Sequence, residues 1–354
     1  MLYKLCDTSG SGKSYFVKLL ILRQYIININ QYVFDPEGEY INIASKVGGE
    51  YINFNNESNV FLNILDIDEI DILEKDFFNK KINIVYDFLN KILHIETEYK
   101  KNILNAIKNA YFNKEINEDV SSMYIISNND KIYVNKVVKD ATYMPVLEDI
   151  YLNLKSNTSV KAKGFKTLIC DFKQMLLDYI FLNNRTTLNF NKKLLVFNMN
   201  KLNSKMSTIL FKIIIDEIIK RIGHAKEKSI IYIDEVWKFI YNNPDSAHQV
   251  FMLFKTIRKL NAGIVTITQD VSDFFGKDLG TYGKSIINNS FIKIFFKMEY
   301  SDSETLLKTG VLSSYELNDI TKLSKGSMLM SFQSNVININ VKSNEYEDKL
   351  IKGE

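Results

Sequence analysis

Cysteine and histidine are scarce in this 354-residue chain, which holds Cys6 and Cys170, and His94, His224 and His248. The two cysteines lie far apart, which speaks against a disulfide framework, and no close Cys or His pair is present to build a structural zinc site. No apolar run approaches the roughly 20 residues that a membrane helix needs. The residues before position 7 are too few and too lightly charged for a secretory leader. Any membrane association is therefore expected to come through a partner. Net charge is lacking too: 45 Lys and Arg against 42 Asp and Glu leave +3, which makes no case for nucleic acid or an anionic membrane, a local basic patch aside. With three prolines and 14 glycines there is no Pro- or Gly-rich linker, and no internal repeat. These exclusions leave a reduced, cytosolic globular protein, and 46% hydrophobic with 25% charged residues fits that class. The length admits two or three ordinary domains, or one core with a large insertion.

What is there begins with alternation. Compact apolar runs (Gln31 to Phe34, "KLLVFNM" from Lys193, "SIIYID" from Ser229, "GIVTIT" from Gly263 and "FIKIFF" from Phe291) are spaced by helix-length segments at 15–24, 246–260 and 270–289. That is the pattern of an α/β protein with a mainly parallel sheet. The middle differs. Tyr99, Ile103, Leu104, Ile107 and Tyr111 share one helix face; a polar stretch at 113–142 follows, and a further helix begins near Pro145. The expected organisation is a core in two parts, 1–65 and 186–354, split by a mostly helical insertion at 66–185. "GSMLMSF" and "VININ" flank Gln333-Ser334-Asn335 as a hairpin, and Ser313 with Glu316 fits a capping box for the helix before it.

Chemistry concentrates in "CDTSGSGKSYF". Its second half, Gly12-Lys13-Ser14, completes the phosphate-loop pattern G-x-x-x-x-G-K-[ST], and the apolar residues before it and the amphipathic segment after it supply strand and helix. In such a loop the backbone N–H groups of Ser9, Gly10, Ser11, Gly12 and Tyr15 cradle phosphate oxygens at a helix N-terminus. Lys13 reaches the outer phosphates and Ser14 ligates Mg2+, so ATP with Mg2+ is the expected ligand. Asp7 stands where the first glycine of the pattern belongs. Aspartate tolerates left-handed backbone better than most residues, but its carboxylate opposes a polyphosphate. At an effective dielectric near 20, two unit charges about 6 Å apart repel by roughly 3 kcal/mol. That is about a hundredfold in affinity where the side chain faces the phosphates, and little where it faces solvent.

The other half of such a site is an acid at the end of a second buried strand. "SIIYIDEVWKF" supplies Asp234 on the metal side and Glu235 as the base that polarises the attacking water; an Asp-Glu pair also serves simply to cap a following helix. Gln269, directly after "TIT", either senses the outermost phosphate and orients the water or is an ordinary polar loop residue. Lys255, Arg258 and Lys259 end a helix. Arg258 is either a finger reaching a neighbouring subunit's nucleotide or part of a solvated helix end that suits the dipole.

Taken in order, "DTSGSGKSYFVK", "FDPEGEY", "LNILDI", "IIYIDEVWKF", "KTIRK", "TITQDVSDF" and "LSKGSMLMSF" resemble the conjugative-transfer ATPases of type IV secretion systems, the VirB/TraC type, across nearly the whole chain. The resemblance implies a RecA-like P-loop NTPase core related to the HerA and FtsK translocases, with a helical insertion. It implies a homo-oligomer (hexamer or dimer) at the cytoplasmic face of the membrane. The implied partners are other type IV secretion subunits, the family's N-terminal domain and a DNA contact. Because that domain does not precede the loop here, the chain is expected to be a fragment, a truncated reading frame or an isolated domain. Asp35, Glu37 and Glu39 fall on the family's acidic turn near the nucleotide, where Pro36 and Gly38 suit a tight turn and a purely structural role for the acids is the alternative. The rival functions are a HerA- or FtsK-like DNA translocase and a non-hydrolysing nucleotide-binding scaffold.

Overall fold

Nine strands of the computed structural model join in one sheet, and its description covers residues 2–6, 12–129, 133–157, 162–240, 243–268, 280–308, 310–332 and 335–354. Two compact units emerge: Met1–Asn53 with Phe190–Glu354, and Phe54–Asn189. From sequence the insertion is expected at 66–185; by packing, the second unit takes in residues on both sides of that range.

The first unit opens with β1 (Leu2–Cys6), α1 (Lys13–Ile26), β2 (Asn30–Asp35), α2 (Ile41–Lys46) and β3 (Glu50–Asn53). The second unit holds α3 (Phe77–Leu93), α4 (Lys100–Phe112), a two-stranded antiparallel pair β4 (Tyr124–Asn129) and β5 (Tyr133–Val138), then α5 (Leu147–Lys155) and α6 (Lys163–Asp178). Ile103, Ile107 and Tyr111 are fully buried on α4, and the Tyr111 hydroxyl donates to the Leu65 carbonyl at 2.6 Å. The polar stretch at 113–142 thus contains the β4–β5 pair, which its alternation of apolar with Asn and Lys residues does not announce.

The chain then returns to the first unit with β6 (Leu194–Asn198), α7 (Ser204–Ala225), β7 (Ser229–Ile233), α8 (Trp237–Ile240), α9 (Pro244–Thr256), β8 (Ala262–Thr268), α10 (Gly280–Asn289) and β9 (Ile292–Phe295). It closes with α11 (Tyr300–Lys308), α12 (Ser314–Lys322), the hairpin β10 (Ser327–Phe332) and β11 (Asn335–Asn340), and α13 (Glu345–Lys352). The order across the sheet is β11-β10-β9-β1-β8-β7-β2-β6-β3. From β9 to β3 every neighbouring pair is parallel, and β10 pairs antiparallel with both β9 and β11.

Every residue of β6, β7 and β8 is buried. Parallel strands covered on both faces must be apolar throughout, which is why these segments read as unbroken hydrophobic runs. On one face Val33 of β2, Val265 and Ile267 of β8, and Val17 and Ile21 of α1 share a cluster with α2. On the other, Phe34 meets Phe211 of α7 edge-on at 4.8 Å between centroids, and Phe211 stacks on Phe239 of α8 at 4.7 Å. Burying one such ring is worth about 1.5–3 kcal/mol. The Ser313–Glu316 capping box forms at the start of α12.

The last helix is tied to the first. Arg23 of α1 holds Glu347 through two bonds, Nε to Oε1 at 2.8 Å and a terminal nitrogen to Oε2 at 3.1 Å. That guanidinium keeps the Glu347 carboxyl below its usual range. Among the described residues, no helix is long and apolar enough to cross a membrane.

Candidate active site

In a parallel sheet the carboxyl ends of the strands open onto the crevice where ligands bind. Here β8 lies between β1 and β7, with Cys6 opposite Thr268 and Ile233 opposite Thr266. The carboxyl ends of β1, β8 and β7 therefore lie side by side, with the acids directly after β7.

Gly12 caps the start of α1 at φ 109°, a left-handed conformation that favours glycine. Its carbonyl accepts the first helical bond from the Phe16 N–H at 2.9 Å. Lys13, the first helical residue, is 6% exposed. Its ammonium lies 2.9 Å from Oε1 of Glu235, whose side chain is 4% exposed. Two motifs 222 residues apart are thus joined by a buried ion pair. Removing one member of such a pair leaves an uncompensated charge and typically costs about 3–5 kcal/mol.

Two neighbouring strands fix the acidic pair. The Asp234 N–H donates to the Phe34 carbonyl of β2 at 3.1 Å, and the Val236 N–H to the Ile267 carbonyl of β8 at 3.1 Å. Between these anchors Glu235 adopts φ 40°, in the left-handed region that side-chain-bearing residues avoid at about 1–2 kcal/mol. Such strain persists where surrounding bonds impose it. The second Glu235 oxygen, Oε2, accepts the Trp237 indole N–H at 2.8 Å, so both oxygens are held.

Asp234 is 3% exposed. Burial pushes its carboxyl up to about 7; Lys13 pulls it back, and the Glu235 carboxylate pushes it up further. An anion in this position calls for a cation beside it. Its Oδ1 accepts the Glu235 N–H at 3.0 Å and its Oδ2 the Tyr40 hydroxyl at 2.9 Å.

The acidic turn after β2 divides its carboxylates. Asp35 is fully buried and its oxygens accept the N–H groups of Gly38, Glu39 and Tyr40 at 2.7, 3.1 and 3.1 Å. It closes the turn, so of the two alternatives its role is structural. Glu37 and Glu39 are exposed, and Glu37 pairs with Lys238.

Of the residues singled out from sequence, Gly12, Lys13, Ser14, Asp234 and Glu235 lie at the carboxyl ends of β1 and β7. Tyr15 is part of α1, but its hydroxyl reaches Asp348 at 2.7 Å and Ser343 at 2.5 Å in the C-terminal segment. Asp7, Ser9, Gly10, Ser11 and Gln269 lie outside the described residues. Arg258 sits in the turn Ile257–Leu260 that leads into β8. That is the amino end of a seven-residue strand, about 20 Å from its carboxyl end, so Arg258 does not join the acids of its own chain. Two contributors were not assigned from sequence, Tyr40 and Trp237. Both sit inside the motifs FDPEGEY and IIYIDEVWKF, where an aromatic with a polar tip beside acidic residues is the one local signal that could have marked them.

The TraG P-loop domain family model matches residues 3–309. The solved structure of VirB4 of Thermoanaerobacter pseudethanolicus is similar with a TM-score of 0.78 and 19% identity, over 98% of this chain and 90% of that one. The conjugative coupling protein TrwB aligns with a TM-score of 0.56 and 9% identity, over 96% and 84%. TrwB in complex with ADP and Mg2+ aligns with a TM-score of 0.56 and 10% identity, over 97% and 86%. At these identities the likeness establishes a RecA-like P-loop NTPase fold. Curated protein sequences give no match.

Proposed function

Because the chain belongs to the TraG P-loop domain family, the P-loop ATPase motors of conjugative type IV secretion, we propose that it hydrolyses ATP with Mg2+ and that Lys13, Ser14, Asp234 and Glu235 are its working set. The observation that carries this is the buried contact between the loop lysine and the acid ending β7.

The residues fit the ligands expected. Ser14 and Asp234 offer the hard oxygen donors that Mg2+ prefers, and burial, which pushes the Asp234 carboxyl up to about 7, disfavours its anion unless a cation stands beside it. When bound, Mg2+ supplies charge neutralisation of the transferred phosphoryl group. The N-terminus of α1 and the loop backbone hold phosphate oxygens. Lys13 has two competing anions, Glu235 and the substrate. Drawn onto phosphate, it releases Oε1 of Glu235 to take a proton from water, while Trp237 keeps Oε2 in place. Gln269, the residue after β8, orients that water. Arg258, remote from its own site, serves a neighbouring subunit in a homo-oligomer. Asp7 sets how tightly the loop holds ATP. The partners are other secretion subunits at the cytoplasmic face of the membrane, with DNA as a candidate contact.

Phosphate release from ATP, followed in Mg2+ and in EDTA, tests the proposal. Turnover should require Mg2+ and vanish in Lys13→Ala. Arg258→Ala should flatten a specific activity that rises with protein concentration, and Asp7→Gly should lower the ATP concentration needed. Phosphate release that is equal in EDTA, or unchanged in Lys13→Ala, would refute the assignment.

A further inference from the structure

The acidic turn ends in a side chain that the working set leaves unused. Tyr40 is 0% exposed, and its ring belongs to the cluster formed by α1, α2 and the sheet. A phenol buried this far needs a partner for its hydroxyl. That partner is Oδ2 of Asp234, 194 residues away, at 2.9 Å. The opposite oxygen is already bonded to the Glu235 N–H, so the carboxylate is gripped on both sides and its rotation is fixed.

The turn holds this hydroxyl in place. Asp35 collects three successive N–H groups, the last being that of Tyr40 itself. Gly38 takes φ 77°, and a Cβ there would stand 2.8 Å from the Asn200 amide nitrogen. The stretch from Asp35 to Tyr40 is thereby locked at both ends, with its first residue buried at the end of β2 and its last against the end of β7.

We propose that Tyr40 is a positioning residue for the metal-side acid, its hydroxyl holding the Asp234 carboxylate in the orientation that receives Mg2+. This rests on the reading of Asp234 as the metal-side residue. Groups that orient a ligand without touching the metal typically change metal affinity 10–100-fold when removed.

Tyr40→Phe keeps the ring and deletes the one hydroxyl. The measurement is ADP binding by isothermal titration, in EDTA and across a series of Mg2+ concentrations, for the wild-type chain, Tyr40→Phe and Asp234→Asn. The expected result is a Mg2+ half-saturation raised about tenfold in Tyr40→Phe and overcome by excess Mg2+, with ADP affinity in EDTA within about twofold of wild type. Asp234→Asn should lose the Mg2+ response at any concentration. An unchanged half-saturation in Tyr40→Phe beside a lost response in Asp234→Asn overturns the role of Tyr40 and leaves that of Asp234 standing. A Mg2+ response that survives Asp234→Asn overturns both. Loss of ADP binding in EDTA by Tyr40→Phe assigns the hydroxyl to the fold and overturns the proposal as well.

Discussion

At the scale of single residues, the site is a set of charges buried in mutual contact. Asp234 shows what that does. Its folded carboxyl titrates near 7 against an ordinary 3.8, burial being the main cause. Between those values the folded chain holds a proton that the unfolded chain has released. The stabilisation from this group is therefore complete below about pH 4 and is lost as pH rises through about 7. In EDTA, the thermal midpoint of the wild-type chain should fall over that window relative to Asp234→Asn, which cannot titrate there. Parallel pH profiles for the two proteins would show that Asp234 is already ionised when folded. Mg2+ requires the anion, so its binding should tighten over the same window. The placement of Lys13 at a helix start and Asp234 at a strand end was legible from sequence because loop spacing and strand-end position are local properties. The bonds from Tyr40 and Trp237 were not. They join groups whose proximity the fold creates, and no spacing along the chain encodes it.

Among the elements, legibility followed burial. β6, β7 and β8 are covered on both faces, so their sequences had to be apolar runs, and they read as strands at once. Among the described residues β4 and β5 pair only with each other, and α13 is so charged that Leu350 and Ile351 give no apolar stripe. Both escaped the sequence reading. The same logic ranks mutations. Phe34, fully buried in β2 among Phe197, Phe211 and Phe239, should lose about 3–5 kcal/mol of stability on truncation to Ala. Ile337 on the edge strand β11, 49% exposed, should lose less than about 1 kcal/mol. Urea midpoints for the two variants decide the matter, and similar shifts would contradict the assignment of the core to the central strands.

For the whole molecule, the order of the sheet makes the site. Parallel strands cannot be joined by tight turns, so β1, β8 and β7 become neighbours only after long crossovers, and a separate compact unit of the chain, Phe54–Asn189, intervenes between β3 and β6. The alternation of runs revealed a parallel α/β core; the strand order that sets Lys13 against Glu235 came only with the fold. The proposed role of this contact is to mark a hydrolytic site, with Glu235 as its base. Glu235→Gln keeps the shape and an acceptor for Lys13 but cannot take a proton. Titration calorimetry with ATP and phosphate-release kinetics on this variant give the most direct test. ATP affinity should stay within a few-fold of wild type and turnover should fall by about 10²–10⁴. Unchanged turnover, or lost ATP binding with hydrolysis retained, would contradict it.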